Sequence, residues 1–289
     1  MGIKYTILSN MGNVYTGLKL IFNTGGTRTK LAISKDGESL SDISVINTNP
    51  DPALWISEFA TKVKEITKEN QIGVVCGGIA GVFDEKKTML LRSPHLPEWE
   101  KGPLKKKLEE TFGTQVLLDN DVAMEGLGEA IVGAGRRKRI VGFVAIGTGV
   151  GGVKIEEGKI CANAYGFEPG HQIIDSDGEV GYFEDFVSGS GMKTAYGIEP
   201  DEISDPQIWE TETKLVAIGL HNVLVLWSPE VLILGGSVMK SIDLEALKSE
   251  IKKQMRIFPT LPEIVRGELG DKAGLYGALE YLKMSGRNN

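Results

Sequence analysis

Glycine and threonine cluster where apolar segments end, an arrangement that suits the binding of phosphate groups. Four such clusters occur at residues 24–29 (Thr-Gly-Gly-Thr-Arg-Thr), 77–81 (Gly-Gly-Ile-Ala-Gly), 147–152 (Gly-Thr-Gly-Val-Gly-Gly) and 235–237 (Gly-Gly-Ser). A glycine turn exposes backbone N–H groups with no Cβ in the way, and threonine adds hydroxyl donors. Two such loops facing each other would hold a polyphosphate chain. For any single loop the alternative is an ordinary tight turn, which glycine also serves.

A carboxylate and a carboxamide, Asp121 and Asn120, follow a short apolar segment that predicts a strand. Ligands of open α/β sheets bind at the carboxyl ends of the strands. Asp121 is therefore a candidate general base, and Asn120 a candidate hydrogen-bonding partner of a substrate. The alternative is that these side chains only cap the helix that follows.

The segment Glu168-Pro-Gly-His171 is a further candidate, because polar side chains in loops are more often functional than those inside helices or strands. Its alternative is an ordinary solvated turn. His95, which lies between two prolines, and His221, within a long apolar segment, are interpreted as structural histidines without a chemical role.

Two segments with the same pattern, residues 18–37 and 141–158, position the first and third glycine clusters. In each, an apolar strand, a Gly/Thr turn, a second strand and another turn follow one another. Both predict a β-hairpin that continues into a further strand. We therefore expect a duplicated architecture in which each half contributes one Gly/Thr loop.

Helices and strands alternate along the rest of the chain. The spacing of apolar residues predicts helices over 53–70, 103–112, 121–132, 211–227, 244–255 and 273–283, and strands over 72–79, 116–118 and 231–234. Residues 163–181, which are rich in glycine and show no clear periodicity, are interpreted as a loop region. The alternation is typical of an α/β fold with mostly buried sheets. We expect two domains, 1–124 and 125–272, with the C-terminal helix within 273–289 returning to the first.

Composition and charge exclude several classes of protein. The net charge of −7 disfavours a generic nucleic-acid or anionic-membrane binder. Two cysteines, Cys76 and Cys161, are too few for a disulfide framework or a cysteine-rich zinc site. The sequence has no apolar run as long as a membrane span and no signal-peptide pattern, so we expect a cytoplasmic protein.

The ordered set of motifs resembles the ROK (repressor, ORF, kinase) family of sugar kinases, within the actin/hexokinase superfamily. The resemblance runs from about Leu18 to about Leu282. The family patterns and the segments that match them are D-x-G-G-T-K at Asn23–Arg28, E/L-N-D-A-N at Asp119–Ala123 with Leu127-Gly-Glu129 after it, the second phosphate motif at Gly147–Gly152, E-x-G-H at Glu168–His171, G-C-L-E-x-x-x-S-G at Gly181–Gly189 and G-D-x-A-G-L-x-G-A at Gly270–Ala278. Each motif is weak alone, but six in order are specific.

The resemblance implies a duplicated actin-like, ribonuclease H-like ATPase fold with two α/β domains around a central cleft. It also implies ATP-dependent phosphorylation of a hexose hydroxyl, commonly the 6-position, with glucose, fructose or an N-acetylated hexose as substrate. Asp121 would accept the hydroxyl proton. The residues that would border or bind the sugar are Ala80, Gly81, Asn120, Glu168, His171 and Glu184. Those that would hold the nucleotide are Gly25, Gly26, Thr27, Arg28, Gly147, Thr148, Gly149, Gly235 and Gly236, with Mg²⁺ bridging the phosphates and Asn23 acting on it through water. The expected partners are a small-molecule hexose and a second copy in a homodimer, with neither nucleic acid nor membrane.

Two departures from the family pattern leave alternatives open. Residues 175–182, where family members carry a C-x-C-G-x-x-G-C zinc motif, contain no cysteine, so we expect no structural zinc. Asn23 replaces the family aspartate and keeps the oxygen without the charge, and Arg28 replaces lysine. A catalytically impaired protein that binds nucleotide or sugar is therefore one alternative. A sugar-responsive regulator is a weaker one, because about twenty residues precede the first motif, fewer than a winged helix-turn-helix needs. The sequence does not distinguish between hexoses, or between ATP and another phosphoryl donor.

Overall fold

Two five-stranded sheets form the framework of the protein. The computed structural model describes residues 15–176 and 178–286, so the ends of the predicted domains at residues 1 and 289 lie outside it. The strands are β1 (Leu18–Thr24), β2 (Arg28–Ser34), β3 (Ser44–Asn47), β4 (Ile72–Ile79), β5 (Val82–Phe83), β6 (Leu90–Arg92), β7 (Val116–Asn120), β8 (Ile140–Ile146), β9 (Val150–Glu156), β10 (Lys159–Ile160), β11 (Ile173–Ser176), β12 (Glu179–Tyr182), β13 (Val231–Gly235) and β14 (Glu263–Arg266). The helices are α1 (Pro52–Thr67), α2 (Leu104–Phe112), α3 (Asp121–Ile131), α4 (Phe183–Val187), α5 (Gly189–Tyr196), α6 (Pro206–Trp227), α7 (Leu244–Gln254) and α8 (Ala273–Ser285).

The two sheets repeat one topology. The first has the strand order β3-β2-β1-β4-β7 and the second β10-β9-β8-β13-β14. In the first sheet β1 pairs antiparallel with β2 and parallel with β4, and in the second β8 pairs antiparallel with β9 and parallel with β13. This repetition confirms the predicted α/β class and the duplication of the hairpins.

The strand registers bring the chemically interesting segments to one edge of each sheet. Thr24, at the end of β1, pairs with Ile79 of β4, which in turn pairs with Asn120 of β7. The first glycine loop, the segment after β4 and the start of α3 therefore lie side by side. In the second sheet Ile146 pairs with Val150 across the loop 147–149. The carboxyl ends of these strands are where an α/β sheet binds ligands.

Side-chain caps set where several helices begin. The Asn120 side chain accepts a hydrogen bond from Ala123 N at 2.9 Å and caps α3. Capping by this residue is the sequence-based alternative to a role in binding. Helix α6 begins at Pro206, five residues before the predicted start. Asp205 accepts a hydrogen bond from Gln207 N, and Pro206 occupies the first helical position, so the helix starts before its apolar periodicity does.

Residues 163–181 differ from the prediction of an irregular loop, because β11 and β12 form an antiparallel hairpin there. The side chains of Ile173 and Val180 remain 68% and 66% exposed. Of the residues in these two strands only Ile174 is fully buried, so the hairpin lacks the sustained alternation of apolar and polar residues that predicts a strand.

Helix α8 packs against the first sheet and against α3. Leu275 and Leu279 of α8 share a buried cluster with Ile21 of β1 and Val74 of β4. The helices α3 and α8 approach so closely that a Cβ added to Gly277 would lie 1.7 Å from the carbonyl oxygen of Met124. Because α3 contacts strands of both sheets, the domain boundary near residue 124 stays a prediction. Among the described residues, no helix is long and apolar enough to cross a membrane.

Candidate active site

Both halves of the chain line a cleft of about 1290 Å³. It contains residues of the first glycine loop, of the start of α3, of the second glycine loop and of the segment around Glu168. The predicted site residues that line it are Gly25, Gly26, Ala80, Gly81, Asn120, Asp121, Gly147, Thr148, Gly149, Glu168, His171, Glu184 and Gly236. Residues far apart in the sequence thus meet at one surface.

Four predicted site residues do not line the cleft. Thr27 and Arg28 are exposed at the far side of the first hairpin turn, and Gly235 packs under the ring of Phe143. Asn23 is buried near the end of β1, where its side chain contacts Glu125, a residue that does line the cleft. The nucleotide and metal roles of these four residues stay predictions.

Asp121 occupies the first position of α3, directly after β7. The pKa of its carboxyl group is raised to about 7, chiefly by burial. Hydrogen bonds from the backbone N–H groups of Val122 and Asp121 lower this pKa, and the charge of Glu168 raises it. A general base works best when its pKa lies near the operating pH. The carboxyl group therefore suits proton abstraction at neutral pH.

The neighbours of Asp121 are held by hydrogen bonds across the site. Asn120 donates through Nδ2 to the carbonyl oxygen of Gly81 at 3.0 Å, and the Ser93 hydroxyl donates to the carbonyl oxygen of Ala80 at 2.7 Å. Gly81 has φ +132°, and an added Cβ would lie 2.4 Å from the carbonyl oxygen of Arg92. This wall of the cleft is thus fixed, and Asn120 keeps one amide hydrogen for a ligand.

His171 lies between two carboxylates. Its Nδ1 is 3.8 Å from Glu168 Oε2, and its Nε2 is 3.6 Å from Glu184 Oε1. Glu184 also accepts a hydrogen bond from Val150 N at 3.2 Å, and the Tyr182 ring centroid lies 5.2 Å from that of the imidazole. Burial raises the pKa of Glu168, His171 lowers it, and Glu184 raises it again. Three polar side chains therefore face the cleft together.

The second glycine loop is tied to α5 and to the end of β13. Gly189 N donates to the carbonyl oxygen of Gly147 at 2.7 Å, and Ser190 N donates to that of Thr148 at 3.2 Å. Gly236 has φ +89°, and a Cβ there would lie 2.2 Å from the carbonyl oxygen of Ile146. Only glycine permits this approach, which brings backbone groups from three segments to one surface.

His95, interpreted from the sequence as structural, lies between the two glycine loops. A Cβ added to Gly26 would lie 2.6 Å from His95 Cβ, and one added to Gly149 would lie 3.4 Å from His95 Nε2. The side chain is exposed within the cleft. Its place between two prolines in a loop is the signal that could have identified it.

Four further acidic residues of the described chain line the cleft without having been predicted, namely Glu125, Glu179, Asp185 and Glu212. Glu125 accepts a hydrogen bond from Asn23 Nδ2 at 3.3 Å, and burial raises its pKa to about 8, with Asp121 raising it further and Lys30 lowering it. Glu212 of α6 accepts a hydrogen bond from the Tyr196 hydroxyl at 2.7 Å, and burial raises its pKa to about 7. The position of Glu125 four residues after Asp121 was a readable signal, because such residues share a helix face.

The part of the chain that the structure describes contains no group of three or more His, Cys, Asp or Glu side chains arranged to bind a metal ion. Its cysteines, Cys76 and Cys161, are both unpaired thiols.

A model of the ROK family matches residues 20–284. An uncharacterized protein of Clostridium perfringens is 30% identical over 254 residues, which cover 77% of this chain and 82% of that protein. The glucokinase of Streptomyces coelicolor is 24% identical over 308 aligned positions, which cover 91% of this chain and 97% of that enzyme. The crystal structure of a ROK family glucokinase from Streptomyces griseus, in complex with glucose and AMPPNP, superposes with a TM-score of 0.79 at 23% identity and covers 93% of this chain and 100% of that one.

Proposed function

The chain belongs to the ROK family, and we propose that it is a sugar kinase that transfers the γ-phosphoryl group of ATP to a hydroxyl group of a hexose. The observation that carries this proposal is the cleft in which Asp121 lies with glycine loops from two equivalent hairpins. The similarity to a glucokinase over 91% of the chain supports it. The substrate we favour is a glucose-like hexose that reacts at its 6-hydroxyl group.

Asp121 is the proposed general base. Its carboxylate would accept the proton of the sugar hydroxyl as that oxygen bonds to the γ-phosphorus and the bond to the ADP oxygen breaks. Glu168, Glu184 and His171 would bind the other hydroxyl groups, because carboxylates accept hydrogen bonds strongly from adjacent hydroxyls. A neutral polyol fits such a wall better than an anionic substrate does.

The two glycine loops would bind the phosphate groups. Gly25 and Gly26 face the cleft from one side, and Gly147, Thr148 and Gly149 face it from the other. Backbone N–H groups of this kind stabilise charge without needing to reorganise, which is most of what phosphoryl transfer requires. Gly236 would lie near the nucleotide.

The residues near Asp121 fit a divalent cation that accompanies ATP. Asn23 Oδ1 is buried and accepts no hydrogen bond from any described residue, and oxygen atoms are the ligands that Mg²⁺ prefers. A bound cation neutralises the phosphate charge. We propose that Asn23 acts on hydrated Mg²⁺ through water. The homodimer, the cytoplasmic location and the lack of structural zinc stay predictions.

A panel of hexoses tests the function. The purified protein is mixed with ATP, Mg²⁺ and glucose, fructose, mannose or an N-acetylated hexosamine, and ADP release is measured for each. We expect turnover with at least one sugar, and Asp121→Asn should lower it by about 10²–10⁴-fold. Sugar binding by calorimetry without ADP release from any hexose would contradict the proposal and favour the impaired binding protein. A parallel assay with polyphosphate identifies the donor.

A further inference from the structure

We propose that Glu125 is the carboxylate that positions the divalent cation of the bound nucleotide, with the Asn23 amide holding it in place. This inference rests on the proposed function, since it assumes a nucleotide in the cleft. It assigns the charge that Asn23 lacks to a residue on a different element, helix α3.

Glu125 and Asp121 face the cleft from the same side of α3. They lie four residues apart in the helix, so their side chains are neighbours on one helix face, and both line the cleft. A carboxylate next to the proposed base lies where a phosphoryl group would transfer. One carboxylate there suffices, because Mg²⁺ usually retains several waters and takes its other ligands from substrate phosphates.

The Asn23 amide is locked in one orientation against Glu125. Asn23 is only 8% exposed, and its Nδ2 donates to Glu125 Oε1 at 3.3 Å. A Cβ added to Gly78 would lie 2.2 Å from Asn23 Oδ1, and one added to Gly274 would lie 2.3 Å from Nδ2. Two glycines therefore make the space that this amide fills. This geometry indicates that the Asn23 amide holds the carboxylate of Glu125 in place.

Asn23 Oδ1 is the second, independent sign of a ligand. It is buried beside Asp121 and accepts no hydrogen bond from the described residues. A buried acceptor without a donor is costly, and a water molecule on a hydrated cation supplies the missing hydrogen. The unpaired Asn23 Oδ1 and the neighbouring Glu125 carboxylate are both oxygen acceptors that suit a hydrated divalent cation.

Glu125 also lacks a cation from the protein. It forms no ion pair with any described side chain, and the neighbouring Lys30 is paired with Asp271 at 2.7 Å. A carboxylate in a cleft that accepts one hydrogen bond but has no cation beside it gains from a positive charge. A divalent cation brought by the nucleotide provides it.

The test measures how much Mn²⁺ strengthens AMPPNP binding, by calorimetry without sugar, in the wild-type protein and in Glu125→Gln. The substitution keeps the shape and the acceptor for Asn23 but removes the charge. We expect the Mn²⁺-dependent gain in affinity to fall by about 10–100-fold. In EDTA the variant should bind AMPPNP no more weakly than the wild type, because glutamine adds no charge that repels the nucleotide. The matched control is Glu179→Gln, which removes one charge from an exposed part of the cleft lining and should change neither affinity.

An exchange variant makes the test independent of how well Glu125→Gln folds. In Asn23→Asp/Glu125→Gln the carboxylate moves to β1 and the amide to α3, with the hydrogen bond reversed. We expect Mn²⁺ to regain most of its effect, whereas Asn23→Asp alone places two repelling carboxylates together and should not improve binding.

A Mn²⁺ effect in Glu125→Gln equal to that of the wild type overturns the inference, and so does an exchange variant that regains none of it. Both results leave the proposed sugar kinase untouched, since that proposal is judged by ADP release with the hexose panel. A wild-type protein whose AMPPNP affinity does not respond to Mn²⁺ overturns the inference as well.

Discussion

Replacing Asp121 with asparagine should lower activity and raise the stability of the folded protein, and both effects arise from one buried carboxyl group. General-base catalysis contributes about 10²–10⁴-fold to the rate, so kcat should fall by about that factor. Asparagine keeps the shape of the side chain and cannot accept the proton. Sugar and nucleotide should still bind.

The stability effect follows from the raised pKa of Asp121. The pKa is about 7 in the folded protein against an ordinary value of 3.8. Below about pH 4 Asp121 is protonated in both the folded and the unfolded protein, so it does not reduce the free energy of unfolding. As pH rises from about 4 to 7 the unfolded state ionises first, so the free energy of unfolding falls, by at most about 4 kcal/mol in total. Asp121→Asn removes this penalty, so its advantage in melting temperature should be larger at pH 8 than at pH 5.

The measurements are steady-state ADP release at pH 8, sugar-binding calorimetry, and thermal melts at pH 5 and pH 8 on the same preparations. The matched comparison is Asp119→Asn, at a buried aspartate two positions earlier that pairs with Lys87 at 2.8 Å. Losing that ion pair should destabilise the protein by about 1–3 kcal/mol, the opposite sign. A kcat of Asp121→Asn within a few-fold of the wild type would refute its role as base. A melting difference that does not grow with pH would refute the burial argument.

Four further predictions concern the rate profile and the framework. The ratio kcat/KM should decline as pH falls below about 7, because Asp121 becomes protonated; a flat profile from pH 5 to 8 contradicts this. Glu129→Ala should cost about 3 kcal/mol or more in a denaturant titration, because the buried carboxylate accepts hydrogen bonds from Ala134 N, Glu268 N and Leu269 N. Gly277→Ala should lower the melting temperature sharply by forcing α3 and α8 apart, whereas alanine at Gly102, where the added Cβ would make only an ordinary 3.6 Å contact with the carbonyl oxygen of Trp99, should not. Elemental analysis should find no stoichiometric zinc, and about one zinc per chain would reveal ligands not recognised in the sequence.

The sequence predicts the local parts of this structure well because their causes are local. Both hairpins, the strand 72–79 and the helix that follows Asn120 depend on periodicity, turn residues and a cap within a few positions. The catalytic candidates lie at the ends of those strands, so their shared edge follows once the duplication is recognised. The position of Asp121 in the cleft follows from its place at the carboxyl end of a predicted strand.

The contacts that were missed join residues distant in sequence. Nothing near Asn23 in the chain indicates that Glu125 accepts its hydrogen bond, or that Gly78 and Gly274 enclose it. The hairpin β11–β12 leaves little pattern because only Ile174 of its two strands is fully buried. Such features depend on how the elements pack together, and no spacing rule along the chain encodes them.

The acidic lining of the cleft accounts for how His171 is oriented without a cysteine cluster nearby. Glu168 and Glu184 lie within 4 Å of its two ring nitrogens, and Glu184 is itself held by Val150 N. The same carboxylates are the proposed acceptors for sugar hydroxyls. Glu168 is 38% and Glu184 24% exposed, and both keep lone pairs for which sugar hydroxyl groups are suitable donors. Hydrogen bonds from a bound sugar would hold these two carboxylates in place, and because the carboxylates flank the imidazole, the same contacts would orient His171.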